Sequence, residues 1–222
     1  MSATHGFSID QLMELAGLSV AAAVGKEFHR LIKQNGAINE NRRLLVVAGP
    51  GNNGGDALVA ARHLVRLVTQ CEQLNIPIAE HIQDASIVDA SYDVILDGIF
   101  GFSFSGNIRP PFDHIVKTLQ NCQTPIVSID IPSAWHVEKG VHAKSCFQRF
   151  ICNLGNENGF GLEPQMLISL TAPKLCARYF IGPNKVHYVG GRFVPKSLAE
   201  EFDLELPIYP SFEQCVKLPI PY

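Results

Sequence analysis

Six cysteines are scattered through 222 residues without one CxxC pair, and a chain of this length can bury a core without covalent staples. That excludes a disulfide scaffold, and a reducing compartment is expected. No apolar run reaches the roughly 20 residues needed to cross a bilayer. The opening MSATHGFSID has neither the regions of a signal peptide nor a basic amphipathic presequence, so the cytoplasm is the default expectation. Positive charge is not in surplus either. With 18 Lys and Arg against 21 Asp and Glu, net -3 and mixed along the chain, there is no basic stripe for nucleic acid and no polybasic membrane patch. Internal repeats and composition breaks are lacking too, so one α/β domain over residues 1–222 is the simplest account. Partners that are small molecules fit best.

The most informative stretch present is GPGNNGGD, residues 49–56. It joins the apolar run LLVVA, residues 44–48, to a pattern of apolar residues at helical spacing from Asp56 onward. Backbone amides at such a strand-to-helix junction attract anions, glycines let a ligand approach the chain, and Asn52 and Asn53 add side-chain amides that donate and accept. Gly and Asn also dominate ordinary turns, and the string is neither GxGxxG nor GxxxxGK[ST], so spacing leaves both readings open.

Around that junction strands alternate with helices. Residues 10–31 form an amphipathic helix, residues 56–75 read as a continuous helix of about 20 residues, and Val94 to Leu96 make a buried strand that ends at Asp97 and Gly98. Residues 112–119 read as a helix after Pro110 and Pro111, and TPIVSIDIPS as a strand ending at Asp130, Pro132 and Ser133. MLISLTAPK, residues 166–174, is a fourth central strand, KVHYVGGRFVP has the alternation of a late or edge strand, and the proline-rich tail PIYPSFEQCVKLPIPY is expected to lie extended on the surface. This alternation predicts a mainly parallel sheet covered on both faces, with ligands beyond the carboxyl ends of the strands. Three loops would share that edge: residues 51–56, 97–107 and 130–133.

Asp97 and Asp130 each close an apolar strand, a costly place for a carboxylate unless donors or a cation meet it. Each alone has an ordinary explanation as a turn cap. With Asn53 and Ser133, one of them completes an all-oxygen set suited to a weakly held hard cation, and the other could work as general acid and base. The loop GFSFSGN (Gly101, Phe102, Ser103, Phe104, Ser105, Gly106, Asn107) mixes groups for phosphate contact with rings for packing. His136 and His142 with Cys146 and Cys152 match no dependable zinc spacing. His63 suits a surface or interhelical place better than catalysis, and Trp135 reads as packing beside the Asp130 loop.

Together the segments QLMELAGLS (11–19), GPGNNGGD, ARHL (61–64), DGIFGFSFSGNIRPPF (97–112), SIDIPS (128–133), MLISLTAPK and YVGGRFVP (188–195) resemble the YjeF N-terminal family across nearly the whole chain, specifically its NAD(P)HX epimerases, also described as apolipoprotein A-I-binding proteins. The resemblance implies a Rossmann-like three-layer αβα sandwich. It also implies epimerisation of the R and S forms of hydrated NADH or NADPH (NADHX and NADPHX). By motif, Asn52, Asn53, Gly54, Gly55 and Asp56, the residues 101–107 and Asp130 would hold the dinucleotide. Asn53, Asp97 and Ser133 would bind a potassium ion, and Asp130 is the catalytic candidate. A homodimer, apolipoprotein A-I as partner, and mitochondrial or secreted forms also come with the family.

The chain departs from the family pattern in four places. About 20 residues, a strand and loop, are missing between ARHL and VTQCEQLNIPI, so the sheet is expected to lack the strand beside the nucleotide-binding one, leaving an unpaired edge or forcing residues 76–79 to re-pair. Residues 141–155 intervene as an insertion after EKG. The usual Ser-Gly-Trp-Asp stands here as Ser133, Ala134, Trp135 and His136, which strains Ala134 if the glycine needs positive φ. An acidic helix ahead of QLMELAGLS is missing.

Overall fold

The computed structural model of the chain describes residues 6–34, 43–68, 79–104, 108–135 and 161–219. Helix α1 (Ile9–Gln34) opens on a capping box: Ser8 Oγ accepts the Gln11 N–H at 3.1 Å while Gln11 Oε1 accepts the Ser8 N–H at 2.9 Å. Its buried residues Ala16, Val20, Ala23, Val24 and Leu31 recur at three and four positions, the stripe that packs a helix on a sheet. Strand β1 (Leu44–Ala48) runs into α2 (Asn52–Val68), followed by α3 (Ala85–Ser91), β2 (Val94–Gly98), α4 (Phe112–Gln120), β3 (Ile126–Ile129) and β4 (Met166–Leu170). A 3-10 turn (Leu175–Tyr179), β5 (Val186–Gly190), α5 (Lys196–Glu201) and β6 (Cys215–Leu218) complete the order.

The six strands lie in sequence order, parallel from β1 to β5, with β6 antiparallel on β5. Strand residues alternate between the two faces. Val94, Leu96, Val127, Ile129, Met166 and Ile168 join α1 and α2 in one core. Ile95 and Ile126 face Val88 of α3 and Val116 and Leu119 of α4 in a second, and Leu167 meets the 3-10 turn in a third. The chain thus has the expected α/β architecture, helices on both faces of a mainly parallel sheet. Strands β2, β3, β4 and β5 are buried throughout, whereas every residue of β1 is half-buried. Among the described residues β1 pairs on one side only, with β2.

Several details correct the sequence reading. Helix α2 begins at Asn52, four residues ahead of the apolar pattern, because the first turn of a helix needs no apolar face when it crosses strand ends rather than lying on the sheet. Its continuation into residues 69–75, the re-pairing of residues 76–78 and the insertion at 141–155 lie outside the described residues. Strand β5 is interior rather than an edge, because the tail supplies β6 to cover it. A carboxylate network ties these late elements to α1. Glu27, 6% exposed, accepts from Tyr188 Oη at 3.0 Å, Lys217 Nζ at 2.8 Å and Arg30 Nε at 2.5 Å.

Candidate functional site

The junction after β1 passes so close to the end of β2 that side chains cannot be accommodated. A Cβ on Gly49 would lie 1.9 Å from the Ile99 carbonyl oxygen, and one on Gly54 would lie 1.8 Å from that of Gly49. The Gly49 N–H donates to the Gly98 carbonyl at 3.0 Å, extending the β1–β2 ladder by one bond. These contacts bring the N-terminus of α2, with Asn52 and Asn53, across the carboxyl ends of β2 and β3. Asn53 is buried and its Nδ2 donates to the Ile129 carbonyl at 3.3 Å, at the end of β3.

There a cavity of ≈ 470 Å³ opens, lined by residues 50–53, Asp56, residues 99–104, Asp130, Leu170, Thr171 and Lys174. The three loops expected to share one edge do so. Of the expected dinucleotide residues, Asn52, Asn53, Asp56, Gly101, Phe102, Ser103, Phe104 and Asp130 line the cavity. Gly54 and Gly55 sit behind it in the first turn of α2, and Ser105, Gly106 and Asn107 lie outside the described residues. Phe104 stacks on Phe100 at 4.0 Å between centroids, whereas Phe102 is 64% exposed at the cavity rim. His63 pairs with Glu14 at 2.8 Å between α1 and α2, and Trp135 packs in the core with Nε1 donating to the Leu162 carbonyl at 2.7 Å. Both match their non-catalytic readings. His136, His142, Cys146 and Cys152 lie outside the described residues.

Asp97 and Asp130 differ in surroundings. Asp97, 0% exposed, has its acceptor positions filled: Oδ1 takes the Ser133 hydroxyl at 2.5 Å and the Ile99 N–H at 3.2 Å, Oδ2 the Ser128 hydroxyl at 2.7 Å and the Ser133 N–H at 3.0 Å. Burial pushes its carboxyl up, against those four donors. Ser133 Oγ also accepts the Phe100 N–H at 3.1 Å, and among the described residues Asn53 Oδ1 accepts no hydrogen bond. The set is all oxygen with one charge, the chemistry of a hard cation, and among the described residues no group of three or more His, Cys, Asp or Glu competes for a softer metal. Asn53 Oδ1 and one lone pair of the Ser133 hydroxyl are open to a cation, while Asp97 would have to release a donor. The residues fit such an ion in kind, at the cost of rearranging the Asp97 shell.

Asp130 instead faces the cavity with fewer bonds to spare it. Its Oδ2 accepts the Phe102 N–H at 3.2 Å, and Oδ1 accepts the Leu170 N–H at 3.3 Å and pairs with Lys174 Nζ. Asp56, also buried and lining the cavity, makes no hydrogen bond through its carboxylate among the described residues. Burial, then the nearby Asp130 charge, push its carboxyl up to about 7, with Lys174 opposing. Burial, then the Asp130 charge, push the neighbouring Cys176 thiol up to about 11, away from the nucleophilic thiolate form.

Thr171 and Lys174 were not anticipated as site residues, although both lie in the quoted string MLISLTAPK. A strand end followed by TAPK signals a turn, and only the fold shows that the turn hooks the lysine back onto the end of β3.

The family model for "YjeF-related protein N-terminus" matches residues 9–68 and 65–176. Its two pieces meet just after ARHL, where the shortened junction lies. The chain is 44% identical over 242 aligned positions to pyridoxine/pyridoxamine 5'-phosphate oxidase 1, chloroplastic, of Arabidopsis thaliana, covering 96% of this chain and 41% of that protein. It spans about two-fifths of that relative's length, and the alignment is longer than the chain, so the relative holds residues with no counterpart here. A crystal structure of yeast YNL200c is similar at a TM-score of 0.76 and 36% identity, covering 96% of this chain and 91% of that one. With the glycine loop, the two strand-end aspartates and the cavity on one edge of a Rossmann-like sheet, these matches establish that the chain belongs to the YjeF-related protein N-terminus family.

Proposed function

We propose that the chain interconverts the R and S forms of hydrated NADH or NADPH, with Asp130 as the acid and base. The observation that carries this reading is the cavity in which Asp130 faces the α2 N-terminus across the strand ends. Pyrophosphate suits the amides of residues 51–53, whose helix-start position attracts anions, and the rings of Phe102 and Phe104 suit the planar groups. Inversion at a ring carbon that bears a hydroxyl beside the ring nitrogen breaks a C–O bond and re-forms it on the opposite face. The hydroxyl leaves as water after gaining a proton, and the incoming water gives one up, so the site needs a group that exchanges protons at each step. In this reading Asp130 is that group. Asp56, with a carboxyl near 7, is a neighbouring source of a proton.

Asn53, Asp97 and Ser133 would hold a potassium ion, whose charge would offset the buried Asp97 carboxylate close to the dinucleotide. The chloroplastic relative supports an organellar address as an alternative to the cytoplasm, and no helix among the described residues is long and apolar enough to cross a membrane.

Chromatographic separation of the R and S forms of hydrated NADPH, followed over time with purified chain in potassium buffer, tests the reading. Interconversion faster than the spontaneous rate is expected. Asp130→Asn is expected to abolish it while NADPH still binds, and retained turnover in that variant would reject Asp130. The half-buried strand β1, with one neighbour among the described residues, favours one second reading, a nucleotide- or protein-binding module without turnover. Binding with no acceleration from a cooperatively folded sample would select it.

A further inference from the structure

The cation facing Asp130 is unassigned by anything above. Among the described cavity residues Lys174 carries the only positive charge. It lies four residues beyond the end of β4, and its Nζ turns back to donate to the Leu170 carbonyl at 2.7 Å and to Asp130 Oδ1. Asp130 is 4% exposed and the Lys174 side chain 21%, so the pair is largely out of water. The Phe102 ring closes the third side, with Nζ 5.7 Å from its centroid. Oδ1 is therefore fixed by two donors from the β4 end, and Oδ2, with one amide among the described residues, is the oxygen with capacity left for a substrate. Asp130 also sits at φ 66°, a backbone that non-glycine residues hold only when their surroundings impose it.

We propose that Lys174 is the positioning residue for Asp130: it clamps Oδ1 against the end of β4 and so presents Oδ2 to the reacting carbon. This role rests on the epimerase reading. Lys174 donates no proton to the substrate in this scheme and is not counted among the binding residues. Losing it frees the carboxylate to rotate, and misplacement of a catalytic group by about 1 Å costs on the order of 100-fold in rate.

The test compares the unaltered chain with Lys174→Met and Lys174→Arg by steady-state epimerisation of hydrated NADPH, with NADPH affinity and urea midpoint measured on the same samples. The expected result for Lys174→Met is a kcat lower by about 100-fold with KM and NADPH affinity within about threefold. Lys174→Arg should recover at least roughly tenfold of that loss, since it restores the charge. A structural ion pair would move the urea midpoint and leave kcat alone. Unchanged kcat in Lys174→Met, a loss confined to KM, or no recovery with arginine would overturn the role. If Lys174→Met does not unfold cooperatively, Lys174→Gln takes its place, keeping a donor for Leu170 without the charge and with the same loss expected. Acceleration by the unaltered chain and equally by the variants overturns Lys174 alone, while no acceleration by the unaltered chain overturns the epimerase reading and this role with it.

Discussion

Three residues near the ends of β3 and β4, Asp130 at φ 66°, Ala134 at φ 72° and Thr171 at φ 69°, hold the left-handed backbone that favours glycine. Asp130 and Thr171 line the cavity, and their strain accompanies the placement of side chains there. Ala134 does not line it, and the family resemblance implies a glycine at this position. Ala134→Gly is therefore expected to stabilise the chain by about 1 kcal/mol, because relief of the Cβ clash outweighs one lost methyl. A rise of roughly 2–4 °C in thermal midpoint would show it. Burial of the Asp56 carboxylate also opposes stability. Its folded carboxyl is raised from 3.8 to about 7, so between these values the native state binds more protons than the unfolded one, and stability falls as pH rises through that window. The full shift corresponds to on the order of 4 kcal/mol. Asp56→Asn removes the titration, so its urea midpoint should exceed that of the unaltered chain at pH 8 and converge with it near pH 4. Parallel curves would contradict this assignment.

At the level of elements, the parallel strands were legible because continuous apolar runs bounded by turns leave few alternatives: β1 matches the run at residues 44–48, and β2, β3 and β4 each fall within the apolar strings that suggested them. The site loops were legible for the same reason, as each follows one of those strands. Strand β6 escaped because four residues among prolines carry no period, and Cys215 alone of them is buried. Helix α3 escaped because it spans seven residues with one buried apolar side chain, Val88. Lys174 and Thr171 escaped because their roles depend on which strand lies beside which, a relation that spacing along the chain does not encode. The late elements are tied to α1 through Glu27, which meets Tyr188 of β5 and Lys217 of β6. Glu27→Ala leaves that buried tyrosine hydroxyl without its acceptor. A destabilisation of about 2 kcal/mol is expected from urea unfolding, as for a buried polar group left without its partner. The exposed Lys26–Glu213 ion pair, broken by Glu213→Ala, should cost under about 1 kcal/mol.

Across the whole molecule, the carboxyl ends of the parallel strands form the working edge, and the elements differ in how firmly they hold it. Strands β3 and β4, which carry Asp130 and the Lys174 turn, have paired neighbours on both sides and no exposed residue. Strand β1, which carries the glycine loop, is half-buried and, among the described residues, has β2 as its one neighbour. A shared edge with unequal support would divide the proposed work: the proton-handling side has the firmer frame, and the phosphate side would draw on its ligand for order. Saturating NADPH is expected to slow amide hydrogen exchange in residues 44–48 by roughly tenfold or more, with little change in β4, because binding stabilises the closed state by mass action. Equal protection of both strands would show that the edge is already fixed without ligand. On the proposed reading, the half-buried β1 would tie the lifetime of the protein to ligand supply: with little nucleotide bound, the first stretch offered to a protease would be the one proposed to hold it.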